Sequence, residues 1–107
     1  MNLSADKPYE VAKFLKGLAN PHRLLILCTL IKGERNVTDL IHATGIAQTS
    51  MSQHLSKLKE EKIVSFRREH RTLYYSIAHP ATAEIIAVLY EHFCKDEIEN
   101  SESCESV

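Results

Sequence analysis

Two cysteines lie in two widely separated apolar segments of the chain. Cys28 lies within residues 24–31, and Cys94 ends residues 85–94. A thiolate is the nucleophile of thiol–disulfide exchange, so two cysteines together can form a reversible sulfur–sulfur link. The i, i+3, i+4, i+7 spacing of Leu24, Leu27, Cys28 and Ile31 predicts that Cys28 lies on the apolar side of a helix. Each cysteine is also consistent with a small buried core residue.

Length and composition favour an ordinary globular domain. The chain has 107 residues, of which 44% are hydrophobic and 25% charged, which fits one domain. Its first residues form no apolar segment, and no apolar run approaches the roughly 18 residues of a membrane helix. We therefore expect a cytoplasmic protein that does not enter the membrane. Three cysteines without a CxxC pair predict neither a disulfide framework nor a zinc ribbon.

The charge is unevenly distributed along the chain, although the net charge is only −1. Residues 48–75 contain six basic and three acidic residues, a local charge of +3. Residues 91–107 contain six acidic residues and one basic residue, a local charge of −5. A basic middle section is typical of a nucleic-acid contact even where the whole chain is neutral.

The pattern of apolar residues and capping residues predicts five helices and one β-hairpin. Asn20 followed by Pro21 is a helix-start signal, and Gly45 permits a tight turn between two short helices. The predicted helices cover about 8–18, 21–32, 37–44, 48–61 and 80–97, and the predicted strands cover 63–68 and 72–77. The fold class is therefore mainly α with a small β-hairpin (α+β): a winged helix-turn-helix of five helices plus a two-stranded wing. We expect this domain to span residues 1–99 and a disordered acidic tail to span 100–107.

The fourth predicted helix has an apolar stripe of Met51, Leu55 and Leu58, and its opposite face is polar. Glutamine can bond adenine through two hydrogen bonds, serine and threonine can bond base edges or phosphates, and wing arginines can reach phosphates or the minor groove. Helix-turn-helix followed by a basic hairpin therefore predicts binding to double-stranded DNA, and a solvated polar face is the alternative. The predicted DNA-binding residues are Gln48, Thr49, Ser52, Gln53, His54, Ser56, Lys57, Arg67, Arg68 and Arg71.

Several of these segments resemble the ArsR-type winged-helix repressors of bacteria. The resemblance rests on residues 20–24, 48–58, 63–64 and 68–75, and it extends from about Val11 to Lys95. It implies a homodimer joined through the first and fifth helices. It also implies a transcriptional repressor that binds a near-palindromic operator until an inducer arrives.

The inducer is the part that the resemblance leaves most open. The cysteine pair and the Asp/His/Glu pattern of the usual metal sites in these repressors are missing, so we expect no metal site and no cofactor. Cys28 and Cys94 instead resemble the dithiol of the persulfide-responsive BigR-like and HlyU-like branch, in which a polysulfide or disulfide links the two thiols and DNA is released. This implies persulfide, polysulfide or another thiol oxidant as the inducer.

Three alternatives remain at this point. One is a metal sensor that uses Cys28, Cys94 and a histidine such as His92. The second is a repressor with structural cysteines and no inducer, or one that a partner protein regulates. The third is a thiol-active enzyme, which we do not expect because the chain has no CxxC, nucleophile elbow, phosphate loop or catalytic carboxylate pair. Cys104 matches nothing in the branch and is predicted to be a spectator.

Overall fold

The computed structural model describes residues 6–94 as five helices and a three-stranded antiparallel sheet. The helices are α1 (Lys7–Leu18), α2 (Pro21–Ile31), α3 (Val37–Thr44), α4 (Gln48–Glu60) and α5 (Pro80–Phe93). The strands are β1 (Arg35–Asn36), β2 (Val64–Glu69) and β3 (Thr72–Ile77), in the spatial order β1-β3-β2. The winged helix-turn-helix prediction is confirmed. The predicted acidic tail at 100–107 and the predicted end of the last helix at residue 97 lie outside the described residues.

Side-chain caps and proline fix where α2, α3 and α5 begin. The Asn20 side chain accepts hydrogen bonds from the backbone N–H groups of His22 and Arg23, at 2.9 and 3.1 Å. The Asn36 side chain accepts from the N–H of Asp39 at 2.8 Å, and His79 Nδ1 accepts from the N–H of Ala81 at 3.1 Å. Each cap satisfies an N–H group that the first turn of a helix leaves without a backbone partner. The predicted start of α2 at Asn20-Pro21 is confirmed.

The sheet differs from the predicted two-stranded wing in one respect. The short strand β1 pairs with β3, with Arg35 opposite Tyr75 and Asn36 opposite Tyr74. These two residues follow Gly33, whose φ of +144° allows the chain to turn after α2. A two-residue strand between a glycine turn and a helix cap has no β-pattern of its own, so the sequence could not reveal it. β1 attaches the base of the wing to the end of α2.

The core lies where α2, α3, α4 and the sheet meet. Among residues 6–94, thirteen hydrophobic residues are buried: Leu18, Ile26, Leu27, Leu30, Leu40, Ile46, Met51, Leu55, Leu58, Ile63, Val64, Tyr75 and Ile86. The predicted stripe of α4 is confirmed, because Met51, Leu55 and Leu58 are all buried. This packing fixes the rotation of α4 about its axis, and therefore fixes which of its side chains face outward.

The predicted inner face of α2 is wrong. Of the stripe at positions 24, 27, 28 and 31, only Leu27 is fully buried; Cys28 is exposed and Ile31 is 41% exposed. The core side of the helix is instead formed by Ile26, Leu27 and Leu30. Because α2 is apolar on nearly every side, several faces fit the helical period and periodicity alone cannot choose among them. Within residues 6–94, no helix is long and apolar enough to cross a membrane.

Candidate nucleic-acid interface

Helix α4 presents a continuous polar face on the surface of the domain. Its residues Gln48, Thr49, Ser52, Gln53, Ser56 and Lys57 are exposed, and Ser52, Gln53 and Ser56 line one open groove with Lys57 and Glu60. The preceding turn is anchored by Ile46, which is 5% exposed, and Gly45 adopts a left-handed φ of +75° that ends α3. The tight α3–α4 turn is therefore held from inside, while the α4 side chains point away from the core. This is the geometry in which a helix can enter the major groove of DNA.

His54 lies at the edge of this face and is partly buried. Its ring meets that of His22 edge-on, with ring centroids 5.3 Å apart. Burial, and next the positive charge of Arg23 together with His22, lower the pKa of His54 below its ordinary value. Arg23 in turn donates to the backbone oxygens of Gly17 and Lys16, at 2.7 and 3.1 Å. The end of α1, the start of α2 and α4 thus meet around these polar groups.

Lys57 has carboxylate partners within the protein. Its Nζ lies 3.6 Å from Glu60 and 3.6 Å from Glu61, and the Glu61 side chain is only 7% exposed. Lys13 of α1 reaches the same Glu61 carboxylate at 4.0 Å. Part of the Lys57 charge is therefore already balanced, and Glu61 connects the C-terminal end of α4 to α1. The role of Lys57 in DNA binding remains a prediction.

The three wing arginines have different surroundings. Arg67 donates from Nε and one terminal nitrogen to both Glu34 oxygens, at 2.9 and 2.8 Å, and from the other nitrogen to Glu69 at 2.7 Å. These hydrogen bonds, with Glu34 contributing most, raise the pKa of Arg67, so its charge is permanent. Arg68 and Arg71 are exposed and form no ion pair within the part of the chain that the structure describes. They are the wing cations that remain available to a phosphate.

The two cysteines of interest lie on α2 and at the end of α5, and these two helices pack against each other. Cys28 is exposed on α2. Cys94 is the C-cap residue of α5, where it is partly buried, and it is disulfide-bonded. Cys104 lies outside the described residues. Within residues 6–94, no group of three or more His, Cys, Asp or Glu side chains is arranged to hold a metal ion.

Sequence reasoning did not identify Glu34, Arg23 or Glu61, the residues that tie the DNA-facing elements to the rest of the domain. Glu34 pairs with a residue 33 positions away, so no local spacing connects them. Arg23 was visible only as part of a family motif. For Glu61 the one local signal was its i, i+4 spacing from Lys57, which is common on solvated helices.

An exposed polar helix behind a tight turn, followed by a wing with two available arginines, defines a DNA-binding winged helix-turn-helix protein. Residues 20–65 match the family described as bacterial regulatory protein, arsR family. The nodulation protein NolR of Rhizobium meliloti is 45% identical over 79% of this chain and 70% of its own length. The biofilm growth-associated repressor of Xylella fastidiosa (strain Temecula1) is 40% identical over 82% of this chain and 77% of its own length.

Solved structures of similar winged helix proteins superpose closely on this chain. Reduced HlyU from Vibrio cholerae superposes with a TM-score of 0.79 at 30% identity, over 84% of this chain and 95% of HlyU. The homodimeric winged helix-turn-helix DNA-binding domain of a Mycobacterium bovis protein gives a TM-score of 0.73 at 35% identity, over 92% of this chain and 94% of that domain. The chain belongs to the arsR family of bacterial regulatory proteins. Members of this family are DNA-binding transcriptional regulators and not enzymes.

Proposed function

We propose that this protein is a homodimeric repressor that releases a near-palindromic operator when reactive sulfur species link Cys28 to Cys94 within one subunit. The observation that carries the proposal is the position of the two cysteines on α2 and α5, two helices that pack against each other. Two relatives support it by their descriptions: one is a repressor, and the other is a structure of a protein in its reduced state.

The dimer is supported by apolar side chains that the single subunit leaves uncovered. α1 exposes Tyr9, Val11 and Leu15, and α5 exposes Val88, Leu89 and Phe93, the last at 73%. Several large apolar side chains left exposed on two helices are typical of an interaction surface. A two-fold pairing of α1 and α5 would cover both sets at once and would present two copies of α4 to DNA. Two such helices read half-sites about 34 Å apart, which requires a near-palindromic operator.

The proposed chemistry begins with the reduced protein. One thiolate attacks the outer sulfur of a small persulfide, RSSH, and becomes a protein persulfide while RSH leaves. The second thiolate then attacks the inner sulfur of that group, so that a disulfide forms and hydrogen sulfide leaves. Altogether two protein thiols and one RSSH give the disulfide, one RSH and one hydrogen sulfide; a second RSSH inserts one more sulfur and releases another RSH. A direct disulfide requires Cα atoms within about 7 Å, and a longer sulfur chain tolerates a wider pair.

The bridge would join α2, which carries part of the core beneath α4, to α5, which carries part of the proposed dimer surface. An operator requires two α4 helices at one fixed separation, so a change in how α5 lies against α2 alters both subunits together. The operator affinity then falls because the two half-sites cannot be occupied at once. This is coupling between two distinct sites through a shared assembly.

The test combines mass spectrometry with DNA binding. Duplexes that the reduced protein selects from a random library serve as the operator probe. After treatment with glutathione persulfide, we expect a peptide pair linked through Cys28 and Cys94 and a loss of operator binding. Cys28→Ser and Cys94→Ser should each bind the probe but stay bound after treatment, whereas Cys104→Ser should respond like the parent protein.

The outcomes distinguish the alternatives. If either Cys28→Ser or Cys94→Ser releases DNA as readily as the parent, the dithiol switch is wrong. A link from Cys94 to Cys104, with release lost in Cys104→Ser, would identify a different thiol pair. Release by stoichiometric zinc without added sulfur would favour the metal sensor.

A further inference from the structure

Arg67 of the wing is held by several partners within the protein. Its guanidinium makes three hydrogen bonds of 2.7–2.9 Å to the carboxylates of Glu34 and Glu69. The same guanidinium lies over the ring of Tyr74, 4.6 Å from the ring centroid. An exposed single ion pair contributes little, but a two-pronged arginine–carboxylate contact within a network is the exception. The cluster holds two negative charges against one positive charge.

The cluster extends across the whole width of the sheet. Arg67 of β2 lies opposite Tyr74 of β3, and Tyr74 lies opposite Asn36 of β1. Glu34 directly precedes β1, in the turn that follows α2. The Arg67 side chain therefore reaches from the outer strand of the wing, over the central strand, to the connection between α2 and the sheet. This path joins the wing to the helical body on the side away from the core.

Arg68, the next residue on the strand, lies on the opposite face of the sheet. Side chains alternate along a strand, so Arg68 shares a face with Val64 and Phe66, which pack on the core, while Arg67 shares the other face with Ser65 and Glu69. For Arg67 to bind a DNA phosphate, it would have to exchange two carboxylate partners for one phosphate. Arg68 and Arg71 need no such exchange.

We propose that Arg67 is a positioning residue, which holds the wing at a fixed angle to the helical body through Glu34, and that Arg68 and Arg71 supply the wing's phosphate contacts. The proposal deepens the DNA-binding function proposed above and rests on it. It changes the sequence-based interpretation of Arg67 from a DNA contact to a support for the DNA contacts. It also gives Glu34, an acidic residue in a DNA-binding protein, a role that favours DNA binding.

The substitution Glu34→Gln separates positioning from simple electrostatics by the sign of its effect. Removing a negative charge should tighten binding to the DNA polyanion if charge alone matters. If Glu34 positions the wing, affinity for the selected operator duplex should fall, by about twofold to fivefold for each wing. Glu60→Gln is the matched control: Glu60 also pairs with a DNA-facing cation, Lys57, at 3.6 Å and, within the described residues, forms no ion pair with the wing, and its loss should tighten binding. Unchanged or tighter binding by Glu34→Gln would overturn the proposal.

The salt dependence of binding tests Arg67 itself. Each phosphate contact that is lost reduces the slope of log K against log salt by about 0.9. Arg68→Gln should reduce the slope in this way. Arg67→Gln should lower affinity and leave the slope unchanged, because its charge is already balanced inside the protein. A slope reduction in Arg67→Gln equal to that in Arg68→Gln would show a direct phosphate contact and refute the positioning role.

Exchanging the charges of Glu34 and Arg67 distinguishes loss of their contact from simple misfolding of a variant. The double variant Glu34→Arg with Arg67→Glu restores an ion pair across the sheet in the reverse order. It should bind the operator duplex more tightly than either single variant. Should it bind no more tightly than the tighter-binding single variant, then the contact between the two positions does not position the wing. Because this comparison is made among variants of the same two sites, it does not depend on whether persulfide is the inducer, and so it can fail while the sensing proposal stands.

Discussion

Gly17 lies where helix α1 meets the residues directly after α4, and replacing it gives a sharp test of that contact. A Cβ added at Gly17 would lie 2.5 Å from Cδ1 of Ile63, with Glu61 Cγ next at 3.7 Å. Ordinary contact between carbon atoms begins at about 3.5 Å, so one side must move by about 1 Å. Ile63 is fully buried, which leaves its terminal methyl no solvent to move into.

Two opposing effects set the expected stability of Gly17→Ala. Alanine within a helix is favoured over glycine by about 1 kcal/mol. Overpacking a filled core costs about 1–3 kcal/mol. The net expectation is a loss of about 1 kcal/mol in the free energy of unfolding. In an Ile63→Val background the clashing methyl is gone, so the same Gly17→Ala should instead stabilise by about 0.5–1 kcal/mol.

The measurement is denaturant unfolding of four proteins: the parent, Gly17→Ala, Ile63→Val and the double variant. Unfolding is monitored by circular dichroism at one fixed protein concentration, because a dimer's stability depends on concentration. Gly17→Ala in an Ile26→Val background is the control, since Ile26 is equally buried but is not among the atoms nearest the added Cβ. There the two effects should add. If Gly17→Ala destabilises equally in the Ile63→Val background, the reasoning from this contact is refuted.

Three further predictions concern the interface, the dimer and pH. Gln53→Ala should lose about 1–3 kcal/mol of discrimination between the selected operator and a scrambled duplex if Gln53 bonds a base through two hydrogen bonds; a ratio of the two affinities that is the same in the variant as in the parent would exclude this. Phe93→Glu should give a monomer mass in light scattering at micromolar concentration, where the parent gives a dimer, because it places a charge in the proposed apolar contact. The lowered pKa of His54 means that the unfolded chain binds a proton more readily than the folded one. Unfolding free energy should therefore decrease as pH falls through about 6.5 toward the folded pKa, and this decrease should be smaller in His54→Gln.

The elements that could be predicted from sequence are those with strong local signals. Asn20-Pro21 marked the start of α2, and the stripe of Met51, Leu55 and Leu58 gave the rotation of α4 correctly. With that rotation, the exposed polar face of α4 followed from helix geometry alone. Local signals therefore sufficed for the position of the interface.

Features that depend on distant residues could not be predicted in this way. The surface position of Cys28 required knowing which side of an all-apolar α2 faces the core. The partners of Arg67 required knowing that Glu34, 33 residues earlier, lies at the base of the wing. A run of basic residues shows how much positive charge is present, whereas only the folded structure shows how much of it is already balanced by carboxylates.

Two polar contacts bind the DNA-facing elements to the helices on either side of them. Glu61, at the end of α4, is shared by Lys57 of α4 and Lys13 of α1. Glu34, at the end of α2, holds Arg67 of the wing. With the core beneath them, these contacts connect α4 and the wing to α1 and α2. The proposed sulfur bridge at Cys28 would have little freedom to reshape α4 itself, because interiors at close packing resist local deformation. The freedom that remains is the placement of one whole subunit against the other, through the exposed faces of α1 and α5. Under the proposed function, a bridge on α2, distant in sequence from the polar face of α4, would therefore act on the operator through the relative placement of the two subunits.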